Sequence, residues 1–228
     1  MVTLKQINET LKRFEETHGL PVIGCEQGSE AWKKLKLGVI SASNAHKAVA
    51  KPDSETRHTY MCELVAQVCT GEQPEEFNFK ATAWGKDNEP AALSGYQVTT
   101  NFEVTQVPFI FKDDTFRVGC SPDGITETHG LELKCPYNTS NFIKFIADDS
   151  LKSEWAKQVQ FCMWVTQAQL WDVSQFDPRM KVKSIHTITV ERDEKQMKVF
   201  DELIPQFISD MDKILEQVGA QFSNQWSR

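Results

Sequence analysis

Two carboxylates and one lysine near the middle of the chain have the types and spacing of a metal-dependent hydrolytic site. Asp123 lies in the turn segment SPDG (121–124), and Glu132 and Lys134 follow in LELKC (131–135). Side chains alternate between the faces of a strand, so Glu132 and Lys134 would share one face. If the segments on either side of the turn form a hairpin, Asp123 returns toward Glu132 and the three groups converge.

This combination suits the hydrolysis of a phosphodiester. Mg²⁺ takes oxygen ligands and is usually held by one or two carboxylates together with waters and substrate phosphate. Two such ions about 4 Å apart can activate the attacking water and stabilise the leaving oxygen. A lysine can orient the water, assist its deprotonation or offset charge, help that is worth roughly 10²–10⁴-fold. The alternative is that Glu132 and Lys134 decorate an ordinary solvated strand, and the three residues alone favour that alternative.

Composition indicates an ordinary soluble protein. The 228 residues are 40% hydrophobic and 25% charged, which fits one globular domain. We find no apolar run of about 18 residues and no signal-peptide pattern, so export and membrane insertion are not expected. The six cysteines include no CxxC pair, and with five histidines they form no zinc template. We therefore expect reduced cysteines and a cytoplasmic location.

The net charge of −7 argues at first against a nucleic-acid partner. Its distribution weakens that objection, because residues 30–60 contain six Lys or Arg and three acids, whereas residues 191–216 contain eight acids and four bases. Such asymmetry is compatible with an electropositive lining inside an acidic body, although a charge count alone favours a solvated face.

Apolar periodicity predicts helices, then strands, then a mixture. Helices are predicted over about 3–17, 56–69, 81–96, 142–147 and 154–165, with short ones capped by Ser29 and by Ser41 or Ser43. Strands are predicted over 97–105, 109–111, 117–120, 131–135, 170–175 and 184–191. A C-terminal helical region begins at Asp193 or Asp201, and Pro205 is expected to kink or restart it. It carries a 3–4 apolar stripe that is more typical of a core face than of an oligomer seam. The stripe is formed by Met197, Phe200, Ile204, Phe207, Met211, Ile214 and Val218. Strands interleaved with helices predict an α/β sheet covered by helices.

Seven segments occur in the order seen in one known family. They are EQGSEAWKKLKLGVISAS (26–43), AWGKDNE (83–89), CSPDG (120–124), LELKCP (131–136), QVQFCMWVT (158–166), FDPRMK (176–181) and VERDEK (190–195). Together they resemble the phage-lambda-type 5′→3′ exonucleases, viral recombination nucleases of the PD-(D/E)XK superfamily. The resemblance implies an α/β fold with a central mixed sheet flanked by helices and a restriction-endonuclease-like core. It predicts a single nuclease domain over 1–228, with a family-like core at 26–226 and an N-terminal helical extension at 1–25.

The resemblance also assigns roles to the central residues. Asp123 and Glu132 correspond to metal ligands, the Leu133 carbonyl to a backbone ligand and Lys134 to the catalytic lysine. Glu89 resembles an additional acid supplied by a helix, where the alternative is a surface glutamate.

A glutamine is also expected at this site. Gln160, two residues after Gln158, is assigned as the active-site glutamine. An amide can donate to a phosphate oxygen or water without adding charge beside the acids.

The family binds a 5′-terminal phosphate in a pocket, and Lys36, Ser41, Ser43 and Ser121 fall at the corresponding positions. Hydroxyls, amides at a helix start and a cation together favour a phosphate. The alternative is that Ser41 and Ser43 are helix N-caps, and both can hold. The best-known family member has arginine at position 36, and Lys36 offers a point charge in place of a bidentate fork.

Two further positions concern the DNA end. Trp32 falls where the family stacks an aromatic ring, with a core tryptophan as the alternative. Thr82 replaces a leucine that wedges the duplex apart in the best-known member. A short hydroxyl residue is a poor apolar wedge. Strand separation is then expected to rely on a neighbour such as Phe79, or to be weaker.

The resemblance implies a Mg²⁺-dependent exonuclease that digests the 5′ strand of double-stranded DNA ends to mononucleotides and leaves 3′ tails for recombination. Two Mg²⁺ per site are expected, with Mn²⁺ as a substitute. A homotrimeric ring, 5′-phosphorylated DNA ends, a phage single-strand annealing protein and the cytoplasm of a bacterial host are implied as well. The alternatives are an endonuclease or single-strand nuclease with the same metal site, and a catalytically silent DNA-end binding module.

Overall fold

The strands form two mixed sheets within residues 1–74 and 80–227, which the computed structural model describes. The first sheet has the order β1-β3-β2, with β1 parallel and β2 antiparallel to β3. The second has the order β4-β5-β6-β7, in which β5 and β6 are parallel and the other pairs are antiparallel. The bounds are β1 Ile40–Ser41, β2 Ile110–Phe111, β3 Val118–Cys120, β4 Gly124–Ile125, β5 His129–Lys134, β6 Leu170–Phe176 and β7 Ile185–Glu191.

Helices cover both sheets, so the predicted α/β class is confirmed, with the strands divided between two sheets. The helix bounds are α1 Leu4–His18, α2 Glu30–Leu35, α3 Ala45–Ala48, α4 Glu55–Thr70, α5 Lys80–Thr100, α6 Thr139–Asp148, α7 Ser153–Thr166 and α8 Glu194–Gln217. None of the described helices has the length and apolar composition that crossing a membrane requires.

Side-chain caps explain where the first helices begin. Thr3 and Gln6 form a reciprocal capping box at the start of α1, and Gly19, in the left-handed region at φ 68°, closes that helix. The Ser29 side chain accepts from the Trp32 N–H and starts α2, as predicted. Ser41 precedes the 3₁₀ turn Ala42–Asn44 without a side-chain cap bond, so the predicted cap is not formed there.

One predicted strand is wrong, and the last helix does not restart at its proline. The strand predicted at 97–105 is helical as far as Thr100, because α5 continues on its buried Tyr96 and ends at Asn101, whose φ is 59°. Tertiary packing therefore overrides the β-propensity of Val98 and its neighbours. The helix α8 runs through Pro205 without a break, because buried side chains hold it to the core on both sides of the proline.

The apolar stripe of α8 faces the core as predicted, although the last two positions differ. The buried residues of this helix are Met197, Phe200, Ile204, Phe207, Met211 and Leu215. Leu215 takes the place expected for Ile214, and Val218 is 55% exposed. The helix α1, in the N-terminal extension, adds Ile7, Leu11 and Phe14 to the same core.

The second sheet separates two apolar clusters. Leu131 and Leu133 of β5 pack with Ala92 and Tyr96 under α5, while Trp171 of β6 belongs to the larger cluster on the other side. The alternation of β5 thus directs Glu132 away from α5's apolar face and toward α7, whose Gln158 it contacts. The strand is fixed in this orientation because both of its faces are packed.

We predict that Gly130→Ala destabilises the fold. A Cβ atom at Gly130 would lie 2.3 Å from ring carbons of the fully buried Trp171. Overpacking of this kind costs about 1–3 kcal/mol, which urea denaturation can measure. Gly85→Ala in α5 is the control, because a Cβ there meets open space. It should be neutral or gain up to about 1 kcal/mol. An unchanged stability for Gly130→Ala would contradict the packing described.

Candidate functional site

Asp123 lies beside β5, although the hairpin that brings it there differs from the one predicted. The segments on either side of SPDG do not pair, because β3 belongs to the first sheet. The hairpin is formed by β4 and β5, and Asp123 immediately precedes it. Gly124 of β4 lies opposite Leu131 of β5, and the Asp123 N–H donates to the Leu131 carbonyl at 3.1 Å. The Asp123 carboxylate then accepts from the Leu133 N–H, with 2.5 Å between Oδ2 and N. The turn therefore positions the aspartate by backbone hydrogen bonds alone.

Glu132 is the centre of the side-chain contacts. Its side chain is 5% exposed, and its Oε1 accepts from Lys134 Nζ at 2.5 Å. The same oxygen accepts from Gln158 Nε2 of α7 at 2.7 Å. A buried carboxylate is costly unless it is paired and hydrogen-bonded, and these two donors meet that requirement.

The pKa shifts indicate more negative charge than Lys134 alone compensates. Burial, followed by repulsion from Glu132, raises the pKa of Asp123 well above its usual value. Burial and Glu132 also raise the pKa of Glu89, which is half-buried on α5. Burial lowers the pKa of Lys134, but the Glu132 carboxylate outweighs it, so the net shift is upward and the ammonium is retained. Clustered carboxylates of this kind are stabilised by a bound divalent cation.

The donor set fits a partly hydrated cation. In the part of the chain that the structure describes, no three His, Cys, Asp or Glu side chains are grouped as a complete metal cage. Asp123 and Glu132 nevertheless supply two carboxylates, the number that Mg²⁺ uses when waters and phosphate complete its shell. An extended residue directs its N–H and C=O to the same edge, so the Leu133 carbonyl also faces the Asp123 side and could be a third oxygen ligand.

The expectation that Gln160 serves this site is corrected by the structure. Gln160 donates from Nε2 to the Glu191 carbonyl at 2.7 Å, and its Oε1 accepts from the Asp193 N–H at 2.9 Å. It therefore ties α7 to the start of α8. Residues two apart lie on nearly opposite faces of a helix, so Gln158 is the glutamine that faces Glu132.

Three of the residues expected around a 5′-phosphate are in contact. Trp32 donates from Nε1 to Ser121 Oγ at 3.2 Å and to the Pro108 carbonyl at 2.9 Å. Lys36 Nζ lies 3.7 Å from the centroid of the Trp32 ring. Because Ser121 is two residues before Asp123, this group is joined directly to the turn that carries the carboxylate.

The two serines lie at the adjoining edge of the first sheet. Ser41 pairs with Gly119 of β3, two residues before Ser121, and its hydroxyl lies 3.3 Å from that of Ser43. Neither the 3₁₀ turn nor α3 has a side-chain cap bond, so the N-cap alternative is not supported. Thr82 is exposed in the first turn of α5. Phe79, the other suggested wedge, lies outside the described residues.

The comparison with protein families decides what kind of chain this is. Residues 31–169, more than half of the 228, match the YqaJ-like viral recombinase domain. The chain belongs to that family. The matched segment contains the hairpin, β5 and α7, and it confirms the resemblance that the motifs indicated.

Solved structures related to this YqaJ-like chain share its fold. The alkaline exonuclease LHK-Exo from Laribacter hongkongensis is 30% identical, with a TM-score of 0.76 over 84% of this chain and 96% of its own. Its complex with dAMP matches at the same identity and TM-score over 83% and 96%. A phage related exonuclease from Haemophilus somnus 129PT, 15% identical with a TM-score of 0.67 over 79% and 96%, supports the fold alone. The ExoD protein of Escherichia coli (strain K12) is 44% identical over 78 residues, 34% of this chain and 90% of its own.

Sequence reasoning about this YqaJ-like chain missed two residues at the site. Helical spacing shows that only one of the two glutamines, Gln158 or Gln160, can face the strand. It does not show which of the two does so, and Gln158 was therefore not predicted. Trp155, one turn earlier on α7, has Lys134 Nζ at 5.9 Å and Lys152 Nζ at 4.9 Å from its ring centroid. A lone tryptophan in the first turn of a largely apolar helix carried no signal of this position.

The two glutamines should differ in their effect on stability. We predict that Gln160→Ala lowers the free energy of unfolding by about 1–3 kcal/mol, because it removes a buried amide together with its two hydrogen bonds, to the Glu191 carbonyl and from the Asp193 N–H. Gln158→Ala should cost less than that, because Gln158 is half-buried and the Glu132 carboxylate keeps its bond from Lys134 Nζ. Urea denaturation of both variants measures the difference. An equal or larger cost for Gln158→Ala would contradict the assignment of Gln160 as the structural glutamine.

Proposed function

We propose that this chain is a Mg²⁺-dependent exonuclease that enters at double-stranded DNA ends and degrades the 5′-ended strand in the 5′→3′ direction. It releases mononucleotides and leaves 3′ single-stranded tails for recombination by strand annealing. The observation that carries the proposal is the convergence of Asp123, Glu132 and Lys134 on one buried point. The kinship with LHK-Exo, named as an alkaline exonuclease and solved with dAMP, supports the same chemistry.

The ligand assignment follows from the hydrogen bonds. Both donors to Glu132 that we find among the described residues bond to Oε1, so Oε2 could turn toward a cation. Asp123 and the Leu133 carbonyl would complete the protein ligands, with Glu89 acting through water. When bound, Mg²⁺ (with Mn²⁺ as a substitute, and two ions per site) supplies Lewis-acid polarisation of the phosphate and a lower pKa for the attacking water.

The residues of the chain then orient the reaction. Water attacks phosphorus, the bond to the 3′ oxygen of the first nucleotide breaks, and the phosphate remains on the next nucleotide as a new 5′ end. Lys134 Nζ, which donates to Glu132 Oε1 at 2.5 Å, can orient the attacking water, assist its deprotonation or offset charge on the phosphate. Gln158 holds the Glu132 carboxylate from α7 and offers an uncharged amide beside it.

Polarity would come from the group formed by Trp32, Lys36 and Ser121, with Ser41 and Ser43 beside it. A cation and hydroxyls suit a terminal phosphate, which carries more charge than an internal one. Each cleavage makes a new 5′-phosphate, so the same group can bind the substrate in every cycle. Trp32 offers an aromatic surface for the terminal base, although its Nε1 hydrogen bonds also hold the turn.

The assembly that we propose is a homotrimeric ring around the duplex, working with a phage-encoded single-strand annealing protein in the bacterial cytoplasm. A closed ring prevents the DNA from leaving sideways, which accounts for processive digestion. It also reconciles a net charge of −7 with DNA binding, because only the lining of the channel needs to be basic.

Lys134→Ala should abolish cleavage and preserve DNA binding. We expect the release of mononucleotides from a 5′-phosphorylated linear duplex to fall by roughly 10²–10⁴-fold, because the charge and hydrogen bonds at the phosphate are lost. Lys144→Ala, which removes a surface cation on α6 that is 77% exposed, is the matched control and should behave as wild type.

The same assay tests whether the reaction requires a divalent cation and whether it requires a free DNA end. A chelator should stop nucleotide release by the wild-type protein, and a covalently closed circle should resist it. Cleavage of the circle would favour an endonuclease, and release of nucleotides without divalent cations would refute the metal mechanism. Binding without any release in Mg²⁺ would favour a silent DNA-end binding module.

Lys36→Ala should reduce the preference for a 5′-phosphate. We expect the ratio of initial rates on 5′-phosphate and 5′-hydroxyl duplexes to fall toward one, because a principal positive charge near Ser121 is removed. Lys34→Ala, at an exposed position on α2, is the control and should keep the wild-type ratio. If both variants retain that ratio, the end-recognition group lies elsewhere.

A further inference from the structure

One arginine in the FDPRMK segment, which has no role in the proposed function so far, joins three parts of the fold. Arg179 lies in the loop between β6 and β7 and holds Asp177 in a bidentate pair, with Nε–Oδ1 at 2.7 Å and Nη2–Oδ2 at 2.8 Å. Its backbone N–H donates to the same carboxylate at 3.0 Å. The Asp177 side chain is fully buried, so the aspartate is a fixed anchor for the guanidinium.

The remaining donors of Arg179 bond to the chain that leaves β5. Nη2 donates to the Pro136 carbonyl at 3.1 Å, and Nη1 donates to the Tyr137 carbonyl at 2.9 Å. These carbonyls lie two and three residues beyond Lys134. The guanidinium therefore fixes the end of the strand that carries Glu132 and Lys134.

The face of the same guanidinium lies on α5. Its central carbon is 4.4 Å from the centroid of the Trp84 ring, and Tyr137 packs edge-on against that ring at 6.1 Å and 84°. Trp84 is five residues before Glu89 on the helix. One side chain thus contacts both the strand with Glu132 and the helix with Glu89.

The part of α5 before Pro90 has few buried residues to hold it to the sheet, although the helix is continuous through the proline. A proline inside a helix removes one hydrogen bond and bends the axis. After Pro90, the fully buried Ala92 and Tyr96 hold α5 to the second sheet. None of residues 80–89 is fully buried, and the stacking of Trp84 on Arg179 is a tertiary contact of this half of the helix, which carries Glu89.

We propose that Arg179 is a positioning residue that sets the separation between Glu89 on α5 and the Glu132–Lys134 pair on β5. The proposal rests on the metal-dependent hydrolysis proposed above. The chemistry requires arginine, because four directed hydrogen bonds and a flat face for stacking are all used. A lysine has neither the planar fork nor the stacking face.

The test compares Arg179→Lys, which keeps the charge, with the wild-type protein on a 5′-phosphorylated linear duplex in Mg²⁺. A displacement of about 1 Å in a reacting group can cost 10²-fold, so we expect kcat to fall about 10–100-fold while KM for DNA stays within about twofold. Lys181→Ala is the matched control, because it removes an exposed cation from the same loop and should leave kcat and KM unchanged.

A structural measurement accompanies the kinetics. Hydrogen–deuterium exchange should become faster in 80–89 and 135–139 of Arg179→Lys, with the rest of the chain nearly unchanged. Trp84→Leu should reproduce both effects, because it removes the aromatic face, and Trp84→Phe should restore most of kcat.

Three results would overturn the proposal. The first is a kcat for Arg179→Lys within twofold of wild type. The second is a rise in KM with unchanged kcat, which would indicate a DNA contact. The third is faster exchange throughout the chain, which would indicate general destabilisation. A wild-type protein that releases no nucleotides, or a fully active Lys134→Ala, would instead refute the proposed function. The two failures are therefore distinguishable.

Discussion

The site depends on keeping the Glu132 carboxylate buried in a strand that is packed on both faces. Leu131 and Leu133 bind β5 to the apolar cluster under α5, and the pleat then forces Glu132 to the opposite face. A charge in such a place is unstable without partners, and Lys134 and Gln158 provide them from β5 itself and from α7. Asp123 adds a second carboxylate near Glu132, and burial followed by repulsion from Glu132 raises its pKa, a cost that a bound divalent cation would relieve.

The fold assembles this site from separate sources. Residues 121–123 connect β3 of the first sheet to β4 of the second. Ser121, which contacts Trp32, and Asp123, the proposed metal ligand, therefore lie on one short connection. The helix α7 is anchored in the larger core and presents Gln158, whereas α5 belongs to the smaller cluster and presents Glu89. The relative placement of the acids is therefore a property of how the two clusters are joined, and the contacts of Arg179 lie at that junction.

Electrostatics also explains how an acidic chain can have a nucleic-acid partner. The net charge of −7 is a sum over the whole surface, whereas the contacts that concern phosphate are local. Lys36 lies against Trp32 beside Ser121, and Lys134 is held among carboxylates. Attraction for DNA would then depend on these enclosed cations, because fields inside clefts are focused and distant surface charges are screened by salt.

The sequence by itself determined the strand alternation of LELKC, the turn at Asp123, most helix starts and stops, and the family, because these follow from local spacing and short motifs. It did not determine that α5 extends to Thr100, which depends on the burial of Tyr96, or that α8 continues through Pro205. It also did not show which glutamine faces Glu132, since that depends on how α7 is rotated against β5, or that Arg179 joins the two acidic elements. Such facts involve residues far apart in the chain, and only tertiary packing brings them into contact.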